Sequence, residues 1–302
     1  MQSPPEPAPG DSLVRTVSRD GSIAVRALVA SGLVGHAASR HGTSPTATAA
    51  LGRTLMGAVL MEAESGPEET LQVQLRGSGP LGTVTVIADS EGRVRGFVGD
   101  PAADLPARNG KLDVGRAVGP GILAVVRFHP SWREPYSGIV PLVSGEVAED
   151  LARYLVESEQ KPSAVALGVY VGADGGVEAA GGYLVHALPG ATDEALAVLE
   201  ANVRGLPSPT EMLRAGLDAD GIVDRVLEGL GCRERHYRAP SFHCRCDLER
   251  VLQAVTLLGR DEIRDIAQRG ERIEVRCEFC AEEYTIDESE LAMLIRDAEG
   301  SA

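Results

Sequence analysis

The amino-acid sequence predicts an α+β protein: an N-terminal α+β core domain, a helical linker, and a small C-terminal region that carries close pairs of cysteines. Three observations predict this organisation. Strand-like runs outnumber helical ones and often follow one another directly, which argues against a βαβ repeat. The 302 residues are 43% hydrophobic but only 4% aromatic, so the core must be aliphatic. Four of the five cysteines lie in two close pairs near the C-terminus.

Residues 11–190 are predicted to form the α+β core domain. A serine–proline pair provides the start signal for a helix over residues 45–64. A second helix is predicted over residues 144–158, with Ser144 as its N-cap and an apolar face every three or four residues. Alternating apolar residues between glycine-containing turns indicate the strands. They are predicted over residues 12–18, 23–29, 71–76, 82–89, 93–98, 121–128, 164–171 and 181–188.

Residues 191–239 are predicted to form a helical linker. Three short helices are expected, over residues 192–204, 208–217 and 220–230, and the second begins with a capping box from Ser208 to Glu211. Helices of this length are not stable alone in water, so each must dock, most simply on the core domain. A segment held only by docking can detach while the rest stays folded.

Residues 240–302 are predicted to form the small C-terminal domain. Helices are expected over residues 247–258, 260–268 and 288–296, and strands over 273–276 and 284–286. About sixty residues bury little apolar surface, so a bound metal is expected to stabilise the fold of this domain.

Composition restricts the partners and the compartment. The formal net charge is −15, which repels nucleic acid and anionic lipid in the absence of a separate basic patch, so neither is expected as a partner. Residues 1–10 lack the basic start and apolar run of a signal peptide and read as a disordered, proline-rich tail. A cytoplasmic location is therefore expected, where clustered cysteines indicate metal or redox chemistry more often than structural disulfides.

The two cysteine pairs are Cys244–Cys246 and Cys277–Cys280, in a CxC and a CxxC spacing, with 30 residues between them. Four thiolates that converge on one point make a tetrahedral zinc site, and each pair can instead close on itself as a disulfide. The spacing alone favours a structural zinc knuckle over a redox switch. However, metal-held thiolates are already deprotonated and open to oxidants, and oxidation would remove the metal's contribution to folding.

The other candidate groups carry weaker signals. Cys232 is interpreted as an unpaired thiol of the linker, with a mixed-disulfide partner or a regulatory thiol as the alternatives. His236 and His243 lie near the site; His243 could substitute as a ligand, but four thiolates already satisfy zinc. No catalytic constellation is identified, so no enzymatic activity is expected. His129, beside Ser131 and Glu134, is interpreted as structural.

Several stretches resemble the thirty-three-kilodalton heat-shock protein family, the redox-regulated bacterial holdase chaperones. The likeness covers nearly the whole chain after the first ten residues, and the combination of CxC, this spacing and EVxCEFC is highly specific. The stretches that carry it are YSGIVPLVSGE (136–146), YLVESEQKPSAVALGVYV (154–171), GGYLV (181–185) with LPG (188–190), FHCRC (242–246), and EVRCEFC (274–280) with Tyr284.

The resemblance implies an α+β core, a metastable linker and a zinc redox-switch domain. It implies one Zn²⁺ per chain in the reduced, inactive state, with Cys244, Cys246, Cys277 and Cys280 as ligands. Oxidation is then expected to form the disulfides Cys244–Cys246 and Cys277–Cys280, release zinc, unfold the switch and the linker, and expose apolar surface. The expected partners are unfolded client proteins, bound without ATP to prevent their aggregation, and a second copy in the active homodimer.

Two departures from the family pattern and two alternative functions accompany this hypothesis. Ala281 follows the CxxC where the family often has Asn, and Cys232 is an additional thiol.

A structural zinc-ribbon module that binds nucleic acid or a protein partner is the first alternative function, although the residues around the CxxC are acidic. A thiol oxidoreductase is the second, but Cys277 lacks the expected βαβ setting at a helix N-terminus.

Overall fold

The computed structural model describes residues 8, 10–63, 65–269, 272–287, 289–290 and 293. The chain divides into two compact units between His243 and Cys244, called here the first unit and the cysteine unit. Most of the predicted tail and of the predicted helix over residues 288–296 lies outside the described residues. The division of the first unit into a core domain and a linker stays a prediction.

The elements follow one another in an order without βαβ repeats. The first unit contains β1 (Ser12–Val17), β2 (Ile23–Val29), α1 (Ser31–His41), α2 (Pro45–Glu62), β3 (Thr70–Gly77), β4 (Thr83–Asp89), β5 (Arg93–Val98), α3 (Val114–Val118), β6 (Gly121–Phe128), β7 (Tyr136–Pro141), α4 (Ala148–Glu157), β8 (Ser163–Val171), β9 (Val177–Ala187), α5 (Asp193–Gly205), α6 (Pro209–Arg214), α7 (Ala219–Val226), β10 (His236–Arg238) and β11 (Ser241–Phe242). The cysteine unit contains α8 (Leu248–Val255), a 3₁₀ turn (Thr256–Leu258), α9 (Arg260–Gln268), β12 (Ile273–Arg276) and β13 (Glu283–Ile286).

Two sheets organise the first unit. One has five strands in the order β10-β1-β2-β9-β8, and the other has six in the order β11-β5-β4-β3-β6-β7. All their pairings are antiparallel except that of β11 with β5. The predicted α+β class is confirmed. No helix among the described residues is both long and apolar enough to traverse a bilayer.

Helix α2 fills the space between the two sheets, where it packs on β4 and β5 of one and on β8 of the other. Its start is as predicted, because the Ser44 side chain accepts a hydrogen bond from the Ala47 amide at 3.2 Å. Nearly every residue of the helix is buried. Glycine permits α2 to approach helix α4 closely as well: a Cβ at Gly57 would lie 2.3 Å from a methyl carbon of Leu151 in α4.

Helices α5, α6 and α7 dock on one face of the five-stranded sheet, as predicted for the linker. The capping box at the start of α6 is also present, since the Ser208 amide donates to Glu211 Oε2 at 2.9 Å and the Glu211 amide donates to Ser208 Oγ at 3.4 Å. The buried side chains that join the helices to the sheet are aliphatic apart from Tyr183. They are Val14, Ile23, Val25, Ala27, Tyr183 and Val185 from the sheet, and Ala195, Leu199, Met212, Ala219, Ile222, Val223, Val226 and Leu227 from the helical segment.

Helix α4 begins later than predicted, and Ser144 is not its N-cap. The buried Asp150 carboxylate accepts hydrogen bonds from the backbone amides of Val143 at 2.6 Å, Ser144 at 3.3 Å and Val147 at 3.1 Å. These bonds hold the preceding residues in a turn, so the helix starts at Ala148. The prediction of Ser144 as the N-cap was therefore wrong, because the carboxylate of Asp150, six residues further along the chain, fixes the turn that precedes the helix.

The cysteine unit has a much smaller apolar core. Among the described residues, its buried aliphatic side chains come from α8, α9 and β13, and β13 pairs antiparallel with β12. They are Val251, Val255, Ile263 and Ile286.

Candidate metal centre

The CxC pair lies at the start of the cysteine unit, directly before α8. Strand β11 pairs with β5 and ends at Phe242, so the chain leaves the six-stranded sheet two residues before Cys244. Asp247 caps α8 by accepting a hydrogen bond from the Arg250 amide at 2.9 Å. The two thiols therefore lie in the short segment between the end of β11 and the capped start of α8.

The CxxC pair lies in the turn between β12 and β13. The Cys277 amide donates to the Glu282 carbonyl and the Ala281 amide donates to the Cys277 carbonyl, both at 2.8 Å. Ala281 takes the left-handed conformation with φ of 57°. Asn tolerates this conformation better than Ala does. The CxxC turn therefore forms although Ala281 stands where the family often has Asn, and the backbone at Ala281 is strained as a result.

Folding brings the four predicted ligands together. The Sγ atoms of Cys244, Cys246, Cys277 and Cys280 all lie within 4.8 Å of one another. Cys244 Sγ is 3.8 Å from Cys277 Sγ, and Cys246 Sγ is 3.3 Å from Cys280 Sγ. A tetrahedral site with zinc–sulfur bonds of about 2.3 Å has sulfur–sulfur edges of about 3.8 Å. The dimensions and the all-sulfur donor set therefore fit a thiolate-binding metal such as zinc.

The thiols share their protons when no cation lies between them. The hydrogen bond between Cys244 and Cys277 lowers the pKa of Cys277 far below its usual range and raises the pKa of Cys244 to about 11. Hydrogen bonds to Cys244 and Cys277 raise the pKa of Cys280. Crowded thiolates repel one another, so four of them ionise together only when a cation occupies their centre.

Tyr284 of β13 adds a hydrogen bond to the cluster that the spacing of the cysteines did not predict. Its hydroxyl donates to Cys246 Sγ at 3.2 Å. Burial and this hydrogen bond raise the pKa of Tyr284, so the hydroxyl keeps its proton. Its position two residues before the buried Ile286, on the same strand face, is the sequence signal that would have placed it beside the cluster.

The remaining candidates lie elsewhere. Cys232 belongs to the first unit, packs beside α7 and accepts a hydrogen bond from Arg235 Nη2 at 3.5 Å. Within the described part of the chain, the metal-binding group consists of the four cysteines, without His236 or His243. His129 Nδ1 is hydrogen-bonded to Ser131 in an exposed turn, and its structural role stays a prediction.

Comparison with known proteins now identifies the family. A family model described as Hsp33 protein matches residues 11–287, which is most of the chain. The chain belongs to the Hsp33 family. The resemblance drawn from the sequence motifs is therefore confirmed, and the four clustered cysteines lie inside the matched region.

Relatives of the Hsp33 family match over nearly their whole length. The 33 kDa chaperonin of Desulforamulus reducens is 41% identical, with 96% of this chain and 98% of that protein covered. The 33 kDa chaperonin of Geobacter sulfurreducens is 43% identical, with 94% of each covered. The crystal structure of the 33 kDa chaperonin from Thermotoga maritima matches with a TM-score of 0.90 and 33% identity, covering 96% of this chain and 99% of that one.

Proposed function

We propose that this protein is a redox-regulated, ATP-independent holdase chaperone. In the reduced state Cys244, Cys246, Cys277 and Cys280 hold one Zn²⁺ and the protein is inactive. Oxidation converts the ligands into two disulfides, and the protein then binds unfolding proteins and prevents their aggregation. Membership of the Hsp33 family and the printed name chaperonin of its relatives support this proposal.

The observation that carries the proposal is the convergence of four thiols in a unit whose described residues include four buried aliphatic side chains. When bound, zinc would supply a cross-link between the CxC segment and the CxxC turn. A peroxide converts one thiol into a sulfenic acid and releases water, and the neighbouring thiol displaces a second water to form the disulfide. Each pair thus loses two electrons and two protons to one peroxide, and a disulfide sulfur is no longer a thiolate ligand.

Oxidation of the cysteines is proposed to release the docked helices of the first unit. The chain runs directly from α7 through Cys232, β10 and β11 to Cys244. Arg235 ties this segment to α7 through Asp220, at 2.6 Å, and Asp224. β10 and β11 are only three and two residues long, so they are weak anchors once the cysteine unit has unfolded.

Undocking of α5–α7 would uncover the apolar face of the five-stranded sheet. Val14, Val25 and Val185, which are at most 1% exposed while the helices are docked, would then face solvent. Such a surface binds unfolded polypeptide through apolar contacts and requires no ATP. It also favours association of two copies, in line with an active homodimer. The proposed location is the cytoplasm, where reducing conditions keep the thiols available for zinc.

Suppression of aggregation of a heat-unfolded client protein tests the proposal. The reduced, zinc-bound protein should have no effect, and the protein treated with peroxide at elevated temperature should keep the client in solution. A Cys277→Ser/Cys280→Ser variant should lose stoichiometric zinc, whereas the matched Cys232→Ser variant should retain it. Equal suppression by the reduced and oxidised proteins would contradict the redox switch, and retained zinc in the double variant would contradict the ligand assignment.

A further inference from the structure

Cys246 Sγ receives a side-chain hydrogen bond from outside the four cysteines. The Tyr284 hydroxyl donates to it at 3.2 Å. The CxC segment and Tyr284 lie 38 residues apart, so this bond exists only in the folded unit.

The Tyr284 side chain is held in place by its strand and by the core. Tyr284 pairs with Val275 across the β12–β13 ladder, and its ring packs against the cluster that includes Val251 and Ile286. The ring is thus fixed independently of its hydroxyl. Because the ring is already fixed, its hydroxyl stabilises the thiolate charge without a further loss of side-chain entropy when a metal binds.

We propose that Tyr284 is a positioning residue that slows the oxidation of Cys246 and so helps to set the oxidant threshold of the switch. The proposal rests on the proposed redox function. A hydrogen bond to a thiolate withdraws electron density from the lone pair that attacks the peroxide oxygen, and sulfur nucleophilicity falls as sulfur basicity falls. The affected step is attack of Cys246 Sγ on the peroxide: a sulfur–oxygen bond forms, the oxygen–oxygen bond breaks, and the leaving oxygen takes a proton and departs as water.

Tyr284→Phe tests the proposal because it removes the hydroxyl and keeps the ring. Loss of a charge-assisted hydrogen bond makes the Cys246 sulfur more nucleophilic, so zinc release by hydrogen peroxide should be about three to ten times faster in the variant. Zinc release is followed with a colorimetric chelator, and sulfenic acid at Cys246 is trapped with dimedone and measured by mass spectrometry. Tyr170→Phe is the matched control, since Tyr170 lies in the first unit and its ring stacks on Arg214.

A second measurement separates this role from mere packing. Co²⁺ replaces zinc in the reduced protein, and the sulfur-to-cobalt charge-transfer band should move to longer wavelength in Tyr284→Phe, because the sulfur lone pair loses its donor. If the variant does not hold metal, 3-fluorotyrosine at position 284 keeps the ring and strengthens the donor, and zinc release should become slower.

The outcomes distinguish this inference from the proposed function. Faster release and a shifted cobalt band in Tyr284→Phe support the role of the hydroxyl. The wild-type protein could release zinc on oxidation while a Tyr284→Phe variant that binds zinc normally releases it at an unchanged or slower rate. That result overturns the inference on Tyr284 and leaves the proposed function standing. A wild-type protein that keeps its zinc under peroxide contradicts the proposed function itself.

Discussion

The helices α5–α7 and the cysteine unit both need stability from outside their own local sequence, and they obtain it in different ways. The helices bury side chains such as Leu199, Ile222 and Val226 against a five-stranded sheet. Among its described residues, the cysteine unit buries the aliphatic side chains of Val251, Val255, Ile263 and Ile286, and it adds four converging thiols. The first region therefore depends on apolar packing, whereas the second is proposed to depend on a bound metal as well, so different perturbations should release them.

Metal removal should have the largest effect, confined at first to the cysteine unit. Zinc contributes on the order of 10 kcal/mol to the folding of small thiolate-bound domains. This is as large as the roughly 6–12 kcal/mol that burial of four aliphatic side chains supplies before the entropy cost of folding is subtracted. Treatment of the reduced protein with a chelator should abolish amide-exchange protection in peptides from 244–287. Protection of the two sheets in the first unit should remain. Persistent protection of β12 and β13 without metal would show that the small core suffices.

Ile222→Ala should weaken the docked helices by a smaller amount. Ile222 is fully buried in α7, and truncation of a buried isoleucine to alanine costs about 2–5 kcal/mol. The variant should be cleaved faster by protease within residues 191–231 and should require less oxidant for chaperone activity. Val198→Ala on α5 is the control, because Val198 is 39% exposed and its truncation should change stability by less than about 0.5 kcal/mol. Normal zinc content in both variants would show that the two regions are held separately.

The two units should also respond to pH in opposite directions. Burial raises the pKa of Glu62, at the end of α2, to about 7 from 4.5, although Ser65 and Arg127 partly offset this. The folded state then retains a proton that the unfolded chain loses, so the first unit loses at most about 3 kcal/mol between about pH 4.5 and about pH 7. Metal binding requires deprotonated thiols, so the cysteine unit is instead weakened as the pH falls.

Glu62→Gln tests the first half of this contrast. The neutral amide keeps the shape of the side chain, and Arg127 keeps its ion pair with Glu159 at 2.9 Å. The melting temperature of the first unit should therefore depend less on pH in the variant, with the largest gain above neutral pH. Glu157→Gln, a change at the exposed end of α4, should leave the profile unaltered. A wild-type first unit that becomes more stable as the pH rises from acid to neutral would contradict the assignment to Glu62.

Local signals in the sequence predicted most elements and failed where a distant residue decides the conformation. The strands with alternating apolar residues, the start of α2 and the capping box of α6 were predicted from neighbouring residues. Helix α1 was not predicted, because its first amides, at Gly32 and Leu33, donate to the carboxylate of Asp11 some twenty residues earlier. Strand β7 was also missed, since it is a largely exposed edge strand with glycine and proline.

The candidate site also has features that the local sequence predicted and contacts that depend on distant residues. Cysteine spacing alone predicted all four members of the thiol cluster, because zinc chemistry restricts which spacings can converge. The hydroxyl of Tyr284 was not predicted as a donor to Cys246, since that contact depends on the register of β12 with β13. The docking of α5–α7 was predicted from helix length, but the face of the sheet that receives them required the structure.

Ala281→Gly should have the smallest effect and should act on the cysteine unit alone. Ala281 has φ of 57°, and a left-handed conformation costs alanine about 1 kcal/mol relative to glycine. The variant should retain zinc against a competing chelator more strongly, by about fivefold for 1 kcal/mol. Ala254→Gly at the exposed C-terminal end of α8 is the matched control, because the same chemical change in a helix should destabilise the unit by up to about 1 kcal/mol. Opposite shifts in zinc retention for the two variants would show that backbone strain at Ala281 affects the stability of the cysteine unit, in addition to the bound metal and the apolar core.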